Sequence, residues 1–296
     1  MLRISRSHKI PTFSKEHPPV ACCKDGDTVI FETNDCFDGA VSPDGVRDWE
    51  GKAQGKYVGN PATGPLYVEG AEPGDALCVE ILDIQTRGWG AMGCGFEEAG
   101  FINIPGEYET RAFHYDDGFV KIGGKKIPIS PMIGVIGVAP SGEGISTYTP
   151  DAHGGNMDCN RIVKGAKILF PVAAPGALLA MGDLHALMGD GEVFQYGLET
   201  SGEVTVRVSV IKNAGVKQPT LYQDGKAMIV ASAKTYDDAI RLALESMFDL
   251  LVSHGWDRTE AGMLMSMKCN LAICQTVDPQ VTVRAMMDED LIVANS

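Results

Sequence analysis

Two short segments concentrate side chains able to hold a cation or move a proton. In Met181-Gly182-Asp183-Leu184-His185 a carboxylate and an imidazole stand two positions apart, so on a strand both project from one face. A hard oxygen beside a neutral imidazole suits a divalent metal, zinc above all, with calcium as the oxygen-rich option. The plainer alternative is that Asp183 only orients or neutralises a surface His185. Asp190-Gly191 just downstream reads as a tight hairpin turn. In Asp151-Ala152-His153-Gly154-Gly155-Asn156-Met157-Asp158, His153, Asn156 and Asp158 supply nitrogen, amide and carboxylate groups. The glycine pair lets backbone come close to a ligand, and its N–H groups are candidates to support an oxyanion. The same residues also fit an Asx-type turn. Two His/Asp clusters carry weight in a chain with only six histidines.

Weaker candidates lie elsewhere. Phe31-Glu32-Thr33-Asn34-Asp35-Cys36 puts acids after an apolar strand, and Asp35 is the candidate ligand there. Glu143, in Ser141-Gly142-Glu143-Gly144, and Glu199, in Gly197-Leu198-Glu199-Thr200, are candidate proton-transfer groups. No Gly-x-Ser-x-Gly elbow is present, and Gly123-Gly124 lacks the Gly-Lys-Ser/Thr ending of a phosphate loop. Cys36 and Cys159 sit beside acidic residues, so a thiol nucleophile stays open, without an evident histidine partner.

These residues need a rigid frame, and the frame reads as β. Strands are expected at Thr28–Glu32, Ala76–Ile84, Met132–Val138, Lys167–Val172, Leu178–Met181 and Val204–Ile211, separated by glycine-rich turns. In the last, four valines share one face and Thr205, Arg207 and Ser209 the other, as in a half-buried antiparallel strand. Helical spacing is convincing only at Tyr236 to His254, before Gly255. Asp257 followed by Glu260 marks a second helix start, and Val281-Thr282-Val283 a final strand. The expectation is a β-rich body over 1–215 carrying the metal site, and a smaller α/β portion over 216–296. Three units beginning at Gly26, Gly74 and Gly176 share a turn–strand–acid pattern and suggest an internal duplication.

Composition limits the partners. The 25 Lys+Arg against 39 Asp+Glu give a net charge of −14, and the best basic cluster, Lys121 to Lys126, is three lysines on a Gly-Gly turn. Nucleic acid is therefore not an expected partner. The eight cysteines show no Cys-x-x-Cys and read as reduced thiols. No apolar run reaches the ~18 residues of a membrane span, and the start has no apolar signal core, so a cytoplasmic protein is expected.

The chain resembles the acetamidase/formamidase family along nearly its whole length. Asn60-Pro61-Ala62-Thr63-Gly64-Pro65, Gly137-Val138-Ala139-Pro140, His153-Gly154-Gly155-Asn156-Met157-Asp158 and Gly182-Asp183 through Glu192 occur in the family's order. One departure is Met188, where such proteins often carry Gln. The resemblance implies a mainly β fold of sandwich and barrel pieces with a small α/β addition. It also implies hydrolysis of short-chain amides to a carboxylate and ammonia, and a homo-oligomer, commonly a dimer. On this reading Asp35, His153, Asp158, Asp183 and His185 are expected to hold one or two divalent ions, with Asn156 orienting them and Glu143 or Glu199 as general acid. A non-catalytic metal-binding β-protein and a cysteine amidase are the competing readings.

Overall fold

The computed structural model describes residues 1–94, 107–115 and 117–294. Its frame is two large sheets. In the first, Leu2–Ile4 forms one edge, followed by Thr28–Thr33, Gly202–Ile211, Ala76–Thr86 and Lys167–Pro171. The same sheet continues through Thr220–Gln223, Lys226–Ala233 and Val281–Asp288 to the far edge, Asn270–Gln275. The alternation in the long strand is realised: Val204, Val206 and Val208 are buried while Arg207 is exposed. Burying one face of a strand in this way fixes its register, because a slip of one residue would expose every valine.

The second sheet runs Gly154–Asn156, Met132–Gly137, Leu179–His185, Glu199–Thr200, Trp89–Cys94 and Glu109–His114. Ala62–Val68 also pairs with Leu179–His185. Apolar faces of the two sheets share one core: Phe31, Val79, Ile168 and Val206 from the first meet Leu66, Ile133, Leu179 and Met181 from the second. This is the expected β-sandwich. The barrel pieces take no closed form: among the described residues both sheets are open, since their edge strands do not pair with each other.

The 216–296 portion packs its own cluster. In the helix Tyr236–Ser253, Ala239, Ala243, Met247 and Leu251 recur every fourth residue and bury against Ile229, Val283 and Ala285. Yet its strands extend the first sheet rather than form one of their own. No helix among the described residues is long and apolar enough to cross a membrane. The three turn–strand units begin at glycines with positive φ, but two of their strands lie in the first sheet and Leu179–His185 in the second. Their positions are therefore not equivalent.

The second helix, Arg258–Lys268, begins where expected: Asp257 Oδ1 accepts from Thr259 N at 2.8 Å and Glu260 N at 3.2 Å. Asp257→Ala leaves those N–H groups to water and should lower unfolding free energy by about 1 kcal/mol. Denaturant titration checks it; an unchanged midpoint would remove the cap from the account.

Candidate active site

Strand Leu179–His185 carries the centre of the site. It runs antiparallel between Met132–Gly137 and Glu199–Thr200, and His185 lies directly across from Glu199. His185 Nε2 is 3.3 Å from Glu199 Oε1, 3.4 Å from Asp183 Oδ1 and 3.8 Å from Asp158 Oδ1. Asp158 arrives from the end of Gly154–Asn156, whose Asn156 pairs with Val135. The room for this convergence comes from two glycines. A Cβ on Gly134 would lie 2.8 Å from the Asp183 carbonyl oxygen and closer still to Asp158 Oδ1, and one on Gly197 would strike the His185 ring.

Two further carboxylates reach the cluster from loops. Glu192 belongs to the 186–198 connection, which is a long excursion rather than the tight hairpin expected at Asp190-Gly191. That excursion is tied down by Arg284, buried in the C-terminal portion, whose Nη1 and Nη2 donate to Asp190 at 2.8 and 2.7 Å. Asp278 comes from the turn after Asn270–Gln275, and Gln275 Oε1 holds that turn by accepting from Val277 N at 2.8 Å and Asp278 N at 3.0 Å. Asn156 Nδ2 then donates to Asp278 Oδ2 at 2.9 Å. Residues on both sides of position 215 thus build one site.

Asp158, Asp183, Glu192, Glu199 and Asp278 line a cavity of about 270 Å³ together with Asn60, Asn156, Cys36, Arg47, Lys52 and three tyrosines. Asn60, Asp158, Asp183 and Glu192 have φ of +46°, +42°, +53° and +44°, a backbone region that side chains rarely adopt. Such strain collects where the surrounding fold over-determines a functional geometry.

The electrostatics follow from dense burial. Burial first, then the neighbouring Asp158 charge, pushes the Glu192 and Asp278 carboxyls well above the ordinary range. Burial likewise raises Glu199 well above it and Asp158 to about 6. For Asp183, burial opposes ionisation, but attraction to His185 and the neighbouring polar groups outweigh that and hold the carboxyl low. For His185, burial disfavours the imidazolium, but Glu199 and Asp183 outweigh it and raise the ring well above its usual value. Protons therefore neutralise much of the cluster, which is the state that a cation would replace.

The cluster passes a test for metal binding. Ligand atoms of Asp158, His185 and Glu192 lie within 4.8 Å of one another, as do those of Cys36, Asp183 and Glu199. Asp158 Oδ1, Asp183 Oδ1, Glu199 Oε2 and His185 Nδ1 are buried without hydrogen-bond partners. Buried carboxylate oxygens of that kind are costly unless protonated, paired or metal-bound.

Of the residues expected from sequence, Asp158, Asp183, His185, Asn156 and Glu199 come together. Asp35 is buried nearby, but its oxygens are taken by Arg87 Nη2 at 2.8 Å and Gly39 N at 3.0 Å. His153 does not line the cavity: it packs edge-on to Phe13 at 5.0 Å, and burial pushes its pKa down to about 4. Gly154 and Gly155, at φ +95° and +89°, break the alternation between His153 and Asn156. Their backbone pairs with Gly137 and Ile136, so these glycines do not line the cavity as oxyanion donors. Glu143 is exposed on its loop, away from the cavity. Met188 lines a separate, apolar cavity. Asp278, Glu192 as a donor, and Asn60 as a site residue were not singled out from sequence.

Comparison with known proteins agrees with this architecture. A crystal structure of an acetamidase from Bacillus halodurans superposes with a TM-score of 0.90 at 40% identity, covering 97% of each chain. The formamidase of Methylophilus methylotrophus is 28% identical over 68% of this chain and 65% of its own length. The acetamidase of Mycolicibacterium smegmatis is 27% identical over 75% of this chain and 72% of its own. The chain spans 52% to 72% of the length of the relatives whose sequences it matches. Residues 6–147 and 141–292 match the model of the acetamidase/formamidase family, and the chain belongs to that family.

Proposed function

We propose that the chain hydrolyses short linear amides to a carboxylate and ammonia. The observation that carries this reading is the buried Asp158–Asp183–His185–Glu192–Glu199 cluster opening on a cavity that also presents amide acceptors. Asn60 Oδ1 and Asn156 Oδ1 are buried, lack partners and line that cavity. Two unpaired carbonyl acceptors match the two N–H donors of a primary amide, and a substrate lacking them would leave both oxygens unsatisfied.

Asp158, His185 and Glu192 offer two oxygens and one nitrogen, the donor set of an open zinc site, with Asp183 and Glu199 against the same ring. A divalent ion held there supplies positive charge that polarises an amide carbonyl and offsets the carboxylates. Glu199, whose carboxyl burial raises well above its ordinary range and which lies 3.3 Å from His185 Nε2, would give a proton to the departing nitrogen, without which ammonia leaves poorly. Asn156, fixed by its bond to Asp278, orients the amide. The dimer implied by the resemblance and the cytoplasmic location expected from the sequence belong to this proposal; sedimentation and cell fractionation test them.

A thiol mechanism fits less well. Cys36 lines the cavity, but burial, then the charges of Glu199 and Asp183, drive its pKa well up, and a thiol without its thiolate is a poor nucleophile. Cys36→Ala should keep kcat/KM for formamide within about tenfold, or about 1.4 kcal/mol of barrier. Complete loss in a folded variant would instead establish the thiol.

A further inference from the structure

The cavity also presents two cations that hydrolysis of formamide does not use. Arg47 and Lys52 both line it. They come from adjoining stretches: Arg47 bridges to Val41, and Lys52 lies on the short helix Trp49–Ala53. In a chain of net charge −14, neither makes an ion pair among the described residues. Asp48, adjacent to Arg47 in sequence, is already engaged: it caps Gly51 N at 2.8 Å and accepts from Tyr57 Oη at 2.6 Å and Lys56 Nζ at 3.0 Å.

Arg47 is held rather than free to seek a partner. Its guanidinium carbon sits 4.7 Å from the Phe37 ring centroid and 4.4 Å from that of Trp49, and Nη1 donates to Tyr108 Oη at 2.7 Å. Its Nε is buried with no acceptor. The faces are covered by rings while one edge donor, Nε, remains unsatisfied. Burial, and then the neighbouring Arg47 charge, also lower the Lys52 ammonium from its ordinary value. Two like charges left together, one with an unpaired donor, are stabilised by an anion between them.

The same cavity is lined by the carboxylates, which repel an anion, and by the amide acceptors of Asn60 and Asn156. A ligand with a neutral amide at one end and a carboxylate at the other gives both the amide acceptors and the two cations a partner. The cavity of about 270 Å³ far exceeds what formamide fills, and approaches the lower range of sites for larger ligands. We propose that the preferred substrate is the monoamide of a short dicarboxylic acid, its carboxylate anchored by Arg47 and Lys52. This rests on the amide-hydrolase reading and names the substrate class of that site.

The test compares ammonia release from succinamate and malonamate with that from the neutral diamides succinamide and malonamide, corrected for their two amide groups. The intact chain should favour each monoamide acid over its diamide by at least about tenfold in kcat/KM, chiefly through KM. Arg47→Met and Lys52→Met should each lower that ratio by about tenfold, while Lys52→Arg, which keeps the charge, preserves it. Lys52 is exposed, so its variant is the safeguard should Arg47→Met unsettle the aromatic packing. Added salt should lower the ratio in the intact chain, because Lys52 lies within reach of solvent ions. Hydrolysis of formamide with a ratio near one, or a ratio that both Met variants leave unchanged, would overturn this substrate class alone. Failure to release ammonia from any amide would overturn the amide-hydrolase reading, and this inference with it.

Discussion

His185→Ala and Asp183→Asn are each expected to cut kcat/KM for formamide by about 100-fold or more, close to 2.7 kcal/mol of barrier, and to reduce bound metal. His185 is the one imidazole among five carboxyl groups at the cavity, and three of them lie within 3.8 Å of its Nε2. Without it, the acids lose their nitrogen donor and the charge that balances them. Asp183→Asn keeps the shape but removes the carboxyl that stays ionised in this environment. Elemental analysis and initial rates measured on the same preparation check both effects. Full metal occupancy with undiminished turnover would take both residues out of the centre.

The second large effect is expected at a residue with no side chain. Gly134→Ala places a methyl group against Asp158 and the backbone of Asp183, so the two carboxyl-bearing segments cannot keep their positions. Over-packing of this kind typically costs 1–3 kcal/mol, roughly what separates an ordered site from a displaced one. The variant should retain its β-type circular dichroism, unfold at lower denaturant and lose at least about 100-fold in kcat/KM. Gly189→Ala is the control, since nothing lies within 4 Å of a Cβ there. Wild-type turnover from Gly134→Ala would show that the Asp158–Asp183 approach does not matter to catalysis.

The contrast between Gly134 and Asp183 shows how far the sequence could be read. Alternation announced the Gly202–Ile211 strand because every valine faces one core, and the fourfold spacing announced the Tyr236–Ser253 helix. Asp183 and His185 were legible for the same reason: the i, i+2 relation is local. Gly134 was not, because its role is to leave a void for side chains from two other segments. Asp35 misled because its polarity is visible locally while its partner, Arg87, is 52 residues away. Asp278 was invisible because it is a single loop residue brought in by tertiary structure, and Asn60 showed only as part of a family motif, with no role attached. The Asp278 turn depends on Gln275, and the Glu192 loop on an ion pair between Asp190 and Arg284, 94 residues apart.

On this proposal, buried acids and one imidazole hold a cation for amide hydrolysis. The most direct measurement is metal content and ammonia release from formamide, on one preparation, before and after exhaustive chelation and again after a divalent ion is restored. Expected are bound divalent metal in the purified chain, loss of ammonia release as the metal is withdrawn, and recovery when zinc or another suitable ion returns. Undiminished ammonia release from a metal-free chain would contradict the proposal.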